Sequence, residues 1–161
     1  MAIDQDQLRM VMRQWSSGVT VVTTHFQGID HGMTVSSFTS VSLDPPLVTI
    51  SLMKNSRTHD MVIGSASFGI TILSSDQVEI SKVFAGQVSD SENRFSGIET
   101  IKFITGVPML KDGLAFFDCN VSKVYDFATN SLIIGEVIAA EVGGKGSPLL
   151  YFNQRYHLLQ E

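Results

Sequence analysis

The most distinctive stretch of the chain is residues 32–46, which read Gly32-Met33-Thr34-Val35-Ser36-Ser37-Phe38-Thr39-Ser40-Val41-Ser42-Leu43-Asp44-Pro45-Pro46. Five hydroxyl side chains fall within seven of these residues, between two apolar segments. Hydroxyls and backbone N–H groups in one bend can bind a phosphate without any net charge on the protein. A Ser/Thr-rich strand exposed to solvent is the alternative interpretation, and composition alone favours that alternative.

The segments on both sides of this stretch have the patterns of β-strands. Residues 19–24 are rich in β-branched side chains, residues 33–41 are strand-like but polar, and residues 47–53 form an apolar run that predicts a central strand. Further strands are predicted over residues 68–73, 114–125, 132–142 and 149–152. Six or so strands, without the strand-helix alternation of a doubly wound fold, favour a closed antiparallel barrel.

Helices are predicted only as short, separate elements. The helical spacing of apolar residues predicts an amphipathic helix over residues 4–15, with Asp4 or Asp6 available as its cap. Ser56 is expected to cap a helix over residues 57–63, and Ser75 is expected to cap another over residues 76–84. The helices thus arrive singly, as insertions among the strands.

The length and charge of the chain exclude several classes of protein. The 161 residues fit one domain over residues 1–161, and a charged fraction of 17% is too low for a mainly disordered chain. The net charge of -5 predicts no nucleic-acid partner and no anionic membrane surface. No apolar run approaches the ~18 residues that cross a bilayer, and the N-terminus lacks the pattern of a signal peptide. A cytoplasmic location is therefore expected.

Few residues outside the polar stretch carry recognisable chemistry. The single Cys119 lies in an apolar, strand-like run, so we expect a structural thiol and no internal disulfide. None of the four histidines has the spacing of a zinc-ligand pair, so no metal site is predicted. The low charge, with 43% hydrophobic residues, favours a homodimer over a chain that simply has a large core.

Two further clusters could contribute to a binding site. Residues 54–59 follow the apolar strand and open a helix, whose free N–H groups and positive dipole end suit an anion; plain capping by Ser56 is the alternative. Residues 84–86 place an aromatic ring beside small residues, which can equally be a helix C-cap. Two candidate anion sites in one strand-rich domain point to a phosphorylated cofactor.

The stretch at residues 32–46 closely resembles the signature of the short-chain flavin reductase family. These proteins are the reductase components of two-component flavin-dependent monooxygenases. The similarity covers nearly the whole chain in order, through residues 55–59, 68–73, 75–77, 84–86, 93–95, 135–137, 148–152 and 155–156. It implies a mainly β fold: a six-stranded antiparallel Greek-key split barrel, the FMN-binding split barrel, with a few short helices.

The same resemblance implies a homodimer that binds FMN or FAD near its subunit interface and reduces the flavin with NADH or NADPH. Residues 34–37 would pass the isoalloxazine edge, residues 51–53 would line the ring, and residues 84–86 would close the pocket. Asn55, Ser56 and Thr58 would hold the ribityl chain or the phosphate. The implied flavin-binding residues are Thr34, Val35, Ser36, Ser37, Ser51, Leu52, Met53, Asn55, Ser56, Thr58, Phe84, Ala85 and Gly86. No residue is assigned a certain catalytic role.

The chain departs from the family pattern at two places that concern the nicotinamide. Family members commonly carry Gly-Asp-His before the Gly-Glu-Val strand, where this chain has Ala128-Thr129-Asn130, and Gly-Arg-Tyr becomes Gln154-Arg155-Tyr156. The residues expected near the nicotinamide are Asn130, Arg155, Tyr156 and His157, although residues 156–159 could equally pack on the barrel. Hydride transfer between two cofactors depends on their alignment more than on an acidic side chain. The missing histidine is therefore expected to affect the affinity for the nicotinamide before it affects the binding of flavin.

The resemblance therefore implies an NAD(P)H-dependent flavin reductase that supplies reduced FMN or FAD to a separate oxygenase. The alternative is a flavoredoxin-type electron carrier, in which bound FMN is reduced by a protein donor. The departure at Thr129 and Asn130 keeps that alternative open. A split-barrel protein that binds no flavin is disfavoured, because the 32–46 stretch is intact.

Overall fold

The computed structural model describes residues 3–87 and 93–159 of the chain. Its strands are β1 Ser17–Gly18, β2 Thr20–Phe26, β3 Ile29–Val35, β4 Thr39–Leu43, β5 Pro46–Met53, β6 Ser67–Ile72, β7 Thr100–Ile101, β8 Met109–Leu110, β9 Ala115–Asp126, β10 Asn130–Val142, β11 Leu149–Phe152 and β12 Arg155–Leu158. Its helices are α1 Gln5–Met12, α2 Arg57–Ser65 and α3 Val78–Lys82. A 3-10 turn, Ser75–Gln77, precedes α3, and a wider turn, Val83–Gln87, follows it.

Seven antiparallel strands form the main sheet, in the order β3-β2-β6-β9-β10-β5-β4. Its two edge strands, β3 and β4, are consecutive in the chain and are joined by residues 36–38. A smaller sheet has the order β1-β11-β12, and β7 pairs with β8. The architecture is mainly β and antiparallel with short helices, as predicted, although it has more strands than the six expected.

Two of the extra strands have identifiable causes. The segment 33–41, predicted as one strand, divides into β3 and β4 because the Ser37 hydroxyl bonds to the Ser51 backbone across the bend. Strand β12 follows a two-residue turn in which Asn153 and Gln154 have φ values of 47° and 61°. This is the left-handed geometry of a tight hairpin, but the dipeptide lacks the glycine that usually signals one.

Apolar side chains from most strands of the main sheet meet in one core. Val35 of β3, Ile50 of β5, Phe68 of β6 and Ile133 of β10 belong to the same buried cluster. The sheet therefore curls around its core, because strands near its two edges contribute to one cluster. Cys119 also lies there, and burial raises the pKa of its thiol to about 12, as fits the structural role expected.

The helices begin close to where the sequence indicates. Asp4, one of the two caps expected, begins α1, and Ser56 caps α2 as predicted. The expected cap at Ser75 is wrong: Ser74 occupies that position, and the Gln77 side chain accepts a hydrogen bond from the Ser74 N–H at 3.0 Å. None of the described helices is both long and apolar enough to cross a membrane.

Candidate active site

The bend after β3 is held at both ends by hydroxyl groups. The Thr34 Oγ1 donates to the Ser81 carbonyl at 2.7 Å, and the Ser37 Oγ donates to the Ser51 carbonyl and accepts from the Ser51 N–H, both at 3.0 Å. Ser36 lies between these anchors with its side chain exposed. Two hydroxyls of the cluster therefore fix the bend, and Ser36 is presented to solvent.

A cavity of about 240 Å³, called here the central cavity, opens beside this bend. It lies between β3, the turn after α3, and the β11–β12 hairpin. Its lining residues are Val19, Met33, Thr34, Val35, Ser36, Ala85, Tyr151 and Tyr156. Apolar groups and two phenol rings, with a few hydroxyls, suit a flat heteroaromatic ring.

A second cavity of about 160 Å³, called here the helix cavity, lies at the N-terminus of α2. Its lining residues are His31, Met33, Asn55, Ser56, Arg57, Thr58, Ala85, Gly86 and Arg94. It shares Met33 and Ala85 with the central cavity, so the two form one groove. Of the residues implied by the resemblance, the groove brings together Thr34, Val35, Ser36, Asn55, Ser56, Thr58, Ala85, Gly86 and Tyr156.

The helix cavity is suited to a phosphate group. The positive end of α2 faces it, and two cationic residues, Arg57 and Arg94, line it. Guanidinium groups bind phosphate oxygens by charge-assisted hydrogen bonds. Within the lining, His31 Nδ1 lies 3.0 Å from the buried Thr58 Oγ1, which ties β3 to the first turn of α2.

Arg94 is held in place by the backbone of the groove. Its Nη1 donates to the Gly32 carbonyl at 2.9 Å and to the Phe84 carbonyl at 3.4 Å. Gly32 permits this close packing: a Cβ there would lie 2.8 Å from the Val22 carbonyl oxygen and 3.2 Å from the Phe84 ring. The glycine that opens the distinctive stretch thus lets β3, β2 and the turn after α3 approach one another.

Several residues implied by the resemblance lie outside the groove. Leu52 and Phe84 are each 1% exposed and belong to the buried core, so neither side chain lines the groove. Met53 is half exposed at the end of β5. Ser37 and Ser51 bond to each other behind the bend.

The residues expected near the nicotinamide divide into two groups. The Asn130 Nδ2 donates to the Ser51 Oγ at 3.4 Å, and the Tyr156 hydroxyl lies 2.8 Å from the Ser81 Oγ, so both connect to the residues that anchor the bend. Side chains alternate along a strand, so Arg155 and His157 face away from the side of β12 that carries Tyr156. The His157 ring instead lies 5.8 Å from the Phe152 ring.

Sequence reasoning missed His31, Met33, Tyr151 and the positions of the two arginines within the site. His31 and Met33 adjoin or fall within the distinctive stretch, so proximity in sequence could have found them. Tyr151 lies in the recognisable stretch 148–152, but the sequence alone does not show that it reaches the groove through the β11–β12 hairpin, more than 100 residues after β3.

A hydrogen-bonded network lies beside Asn130, at the start of β10. The Ser131 Oγ donates to the Asp126 carboxylate at 2.6 Å, which leaves His59 Nε2 as the donor to Ser131 at 2.9 Å. The hydrogen bond from Ser131, aided by the Lys54 ammonium 3.5 Å away, lowers the pKa of Asp126.

We expect the Ser131→Ala variant to raise the pKa of Asp126 towards its ordinary value, because the largest cause of its depression is removed. A depressed carboxyl pKa stabilises the fold above the ordinary pKa, and that contribution is lost as the pH falls through the acidic range. The variant should therefore lose less stability on acidification than the parent. NMR titration of the Asp126 carboxyl carbon measures the pKa directly, and an unchanged midpoint would contradict this account.

Residues 12–160 match the family model described as the flavin reductase like domain. The chain belongs to the flavin reductase family. The match covers both cavities of the groove and all seven strands of the main sheet.

The chain is similar to named proteins and to solved structures along nearly its whole length. It is 35% identical over 150 residues to the reductase component of an FADH(2)-dependent resorcinol hydroxylase from Rhizobium sp., covering 92% of this chain and 83% of that protein. It is 32% identical over 160 residues to the actinorhodin polyketide dimerase of Streptomyces coelicolor, covering 99% and 89%. The structure of the NADH:FAD oxidoreductase SgcE6 from Streptomyces globisporus superposes with a TM-score of 0.92 at 28% identity, covering 100% and 98%. This likeness confirms the fold class.

Proposed function

We propose that the chain is an NAD(P)H-dependent flavin reductase that supplies reduced FMN or FAD to a separate monooxygenase component. The observation that carries the proposal is the two-part groove: a central cavity suited to a flat ring, joined to a cationic cavity at the start of α2. A flavin has this same division between an uncharged ring and a phosphorylated chain. The single buried thiol and the use of NAD(P)H fit a reducing, cytoplasmic setting.

In this arrangement the isoalloxazine would lie in the central cavity and the phosphate in the helix cavity. Asn55, Ser56 and Thr58 would hold the phosphate end together with the two arginines. Thr34 and Ser37 would act indirectly, because their hydroxyls are engaged in fixing the bend. When bound, the flavin supplies the chemistry: it takes up a hydride from the nicotinamide and later yields the electrons to an acceptor.

The chain's own residues align the two reactants and keep water away from them. Val19, Met33 and Val35 provide an apolar wall, and Tyr151 and Tyr156 pack edge to face, with ring centroids 5.5 Å apart, at the open side. A wall held in this way fixes the plane of the ring, and alignment of donor and acceptor is the main contribution of a protein to hydride transfer. No acidic side chain is required beside the reacting atoms.

Mixing the purified protein and FMN or FAD with NADH or NADPH in a stopped-flow instrument tests the proposal. We expect rapid loss of the visible absorption of the flavin, with a rate that saturates as donor concentration rises. The alternative, a flavoredoxin-type carrier, predicts flavin that co-purifies tightly and is not reduced by either nicotinamide. That result would overturn the reductase proposal.

The proposal includes a homodimer. Leu43 is 91% exposed, Phe127 is 60% exposed and α1 has no buried side chain, which leaves much apolar surface for a second copy to cover. We expect light scattering to give twice the mass of one chain at micromolar concentration. A monomer that still binds and reduces flavin would show that the site is complete in one chain.

A further inference from the structure

Ser81 connects two walls of the central cavity without lining the cavity itself. It lies in α3 and is fully buried. Its carbonyl oxygen accepts the hydrogen bond from Thr34 Oγ1 at 2.7 Å, and its Oγ lies 2.8 Å from the Tyr156 hydroxyl. Thr34 and Tyr156 both line the cavity, and their strands, β3 and β12, belong to different sheets. One buried residue therefore joins the main sheet to the smaller sheet beside the cavity.

The position of the Tyr156 ring depends on this hydrogen bond. Strand β12 pairs only with β11, and Tyr156 is its only residue that is not exposed. Within residues 3–87 and 93–159, the bond to Ser81 is the only side-chain hydrogen bond between β12 and another element. Packing against the buried cluster of Leu73 and Phe84 limits where the ring can lie, but apolar contacts are not directional. The hydrogen bond fixes the phenol oxygen at one point.

The support on which Ser81 lies is itself held to the main sheet. The turn Val83–Gln87 follows α3 directly, and Ala85 of this turn lines both cavities of the groove. Arg94 Nη1 bonds to the Phe84 carbonyl of the same turn and to the Gly32 carbonyl of β3. Helix α3 is therefore anchored to β3 on both sides of Ser81, and the hydroxyl of Ser81 offers Tyr156 a fixed partner.

We propose that Ser81 is a positioning residue for the reduction of flavin. Its hydroxyl holds the Tyr156 ring at the open side of the central cavity, and its carbonyl holds Thr34 in the wall of that cavity. The inference rests on the proposed function, because the rate of hydride transfer depends on how well the flavin ring is aligned with its donor. It adds to that site a residue that contacts neither reactant and acts through Tyr156 and Thr34.

The hydrogen bond can be tested first in the protein without flavin. Ser81→Ala and Tyr156→Phe each remove one of its two hydroxyls and keep the Ser81 carbonyl that holds Thr34. Each variant should lower the Tm by about 2–4 °C, the usual effect of losing one uncharged hydrogen bond in a domain of this size. The double variant should be little less stable than either single variant, because both changes remove the same bond. Additive losses would overturn the proposal.

The second measurement follows bound FMN without any hydride donor. A ring held in one orientation against an asymmetric wall gives circular dichroism in its visible absorption bands. The Ser81→Ala variant should weaken this signal per bound flavin and leave the Kd for FMN nearly unchanged. The matched control is Ser65→Ala, which removes a hydroxyl 2.8 Å from Thr24 Oγ1, at a residue that lines neither cavity of the groove. The control should keep the signal of the parent, and an unchanged signal in Ser81→Ala would overturn the proposal.

Steady-state kinetics gives the third measurement. The Ser81→Ala variant should lower kcat about twofold to tenfold, the range for one uncharged hydrogen bond, and leave the KM for NADH nearly unchanged. Tyr156→Phe should show the same loss and the double variant no greater one, which keeps the test valid if Ser81→Ala does not fold. An equal loss of kcat in Ser65→Ala would overturn the proposal, because stability alone would then explain it. If the parent reduces flavin with neither NADH nor NADPH, the proposed function fails, while the dichroism and the double variant still decide whether Ser81 positions the ring.

Discussion

Replacing Arg57 with glutamine should weaken the binding of FMN about tenfold to a hundredfold and leave the binding of riboflavin nearly unchanged. Arg57 lines the helix cavity at the first position of α2, where a phosphate would meet both its guanidinium and the free N–H groups of the helix. Loss of one hydrogen bond between charged groups typically costs ~1.5–3 kcal/mol, which gives this range. Riboflavin has no phosphate, so only the central cavity should contribute to its binding.

Quenching of flavin fluorescence measures both affinities under the same conditions. The matched control is Lys102→Gln, which removes one exposed cation from a residue that lines neither cavity of the groove. Equal weakening of FMN and riboflavin would mean that Arg57 shapes the groove rather than binding the phosphate. Unchanged binding of both would place the phosphate elsewhere.

The Gly143→Ala variant should destabilise the protein by about 1–3 kcal/mol, the usual range for overpacking a filled site. A Cβ at Gly143 would overlap the Gly113 carbonyl oxygen and lie 2.6 Å from the Phe116 ring. The Gly143 N–H also donates to the Leu114 carbonyl at 2.8 Å, which prevents the backbone from moving away. The end of β10 must therefore shift, or the ring must leave its position.

The neighbouring glycine provides a control for this experiment. A Cβ at Gly144 would come no closer than 3.6 Å to any atom, which is ordinary contact. The Gly144→Ala variant should therefore be neutral or slightly stabilising, because alanine restricts the unfolded chain more than glycine does. Thermal or urea unfolding of the two variants measures the difference. Equal stabilities would contradict the steric account.

The parts of the fold that could be predicted from the sequence are those set by local pattern. Alternating and β-branched residues locate β2, β5, β9 and β10, and hydroxyl or carboxylate caps locate the starts of α1 and α2. The break between β3 and β4 could not be found locally, because it depends on a bond from Ser37 to Ser51 in another strand. The turn between β11 and β12 was not predicted for a different reason, namely that it lacks glycine.

In the candidate site, too, features set by the local sequence could be predicted, and features set by contacts between distant segments could not. The groove residues that were predicted all lie in the recognisable stretches, because the order of those stretches along the chain carries the resemblance. Tyr151 and the packing of Arg94 against Gly32 were not predicted, since they result from how distant segments meet. Leu52 and Phe84 show the reverse: each lies beside site residues in sequence, but strand alternation and helix packing turn its side chain into the core.

The hydrogen bonds that hold the groove together join residues far apart in the chain. This separation determines at what stage of folding the groove can form. Thr34 bonds to Ser81 across 47 residues, Gly32 to Arg94 across 62, and Ser81 to Tyr156 across 75. The entropy cost of closing such long loops comes before the contacts add any stability. These hydrogen bonds therefore form together with the whole barrel. The groove of a growing polypeptide is thus incomplete until Tyr156 has been synthesised. Bound flavin then stabilises the finished domain as a whole, by ~2.7 kcal/mol at a concentration a hundred times its Kd.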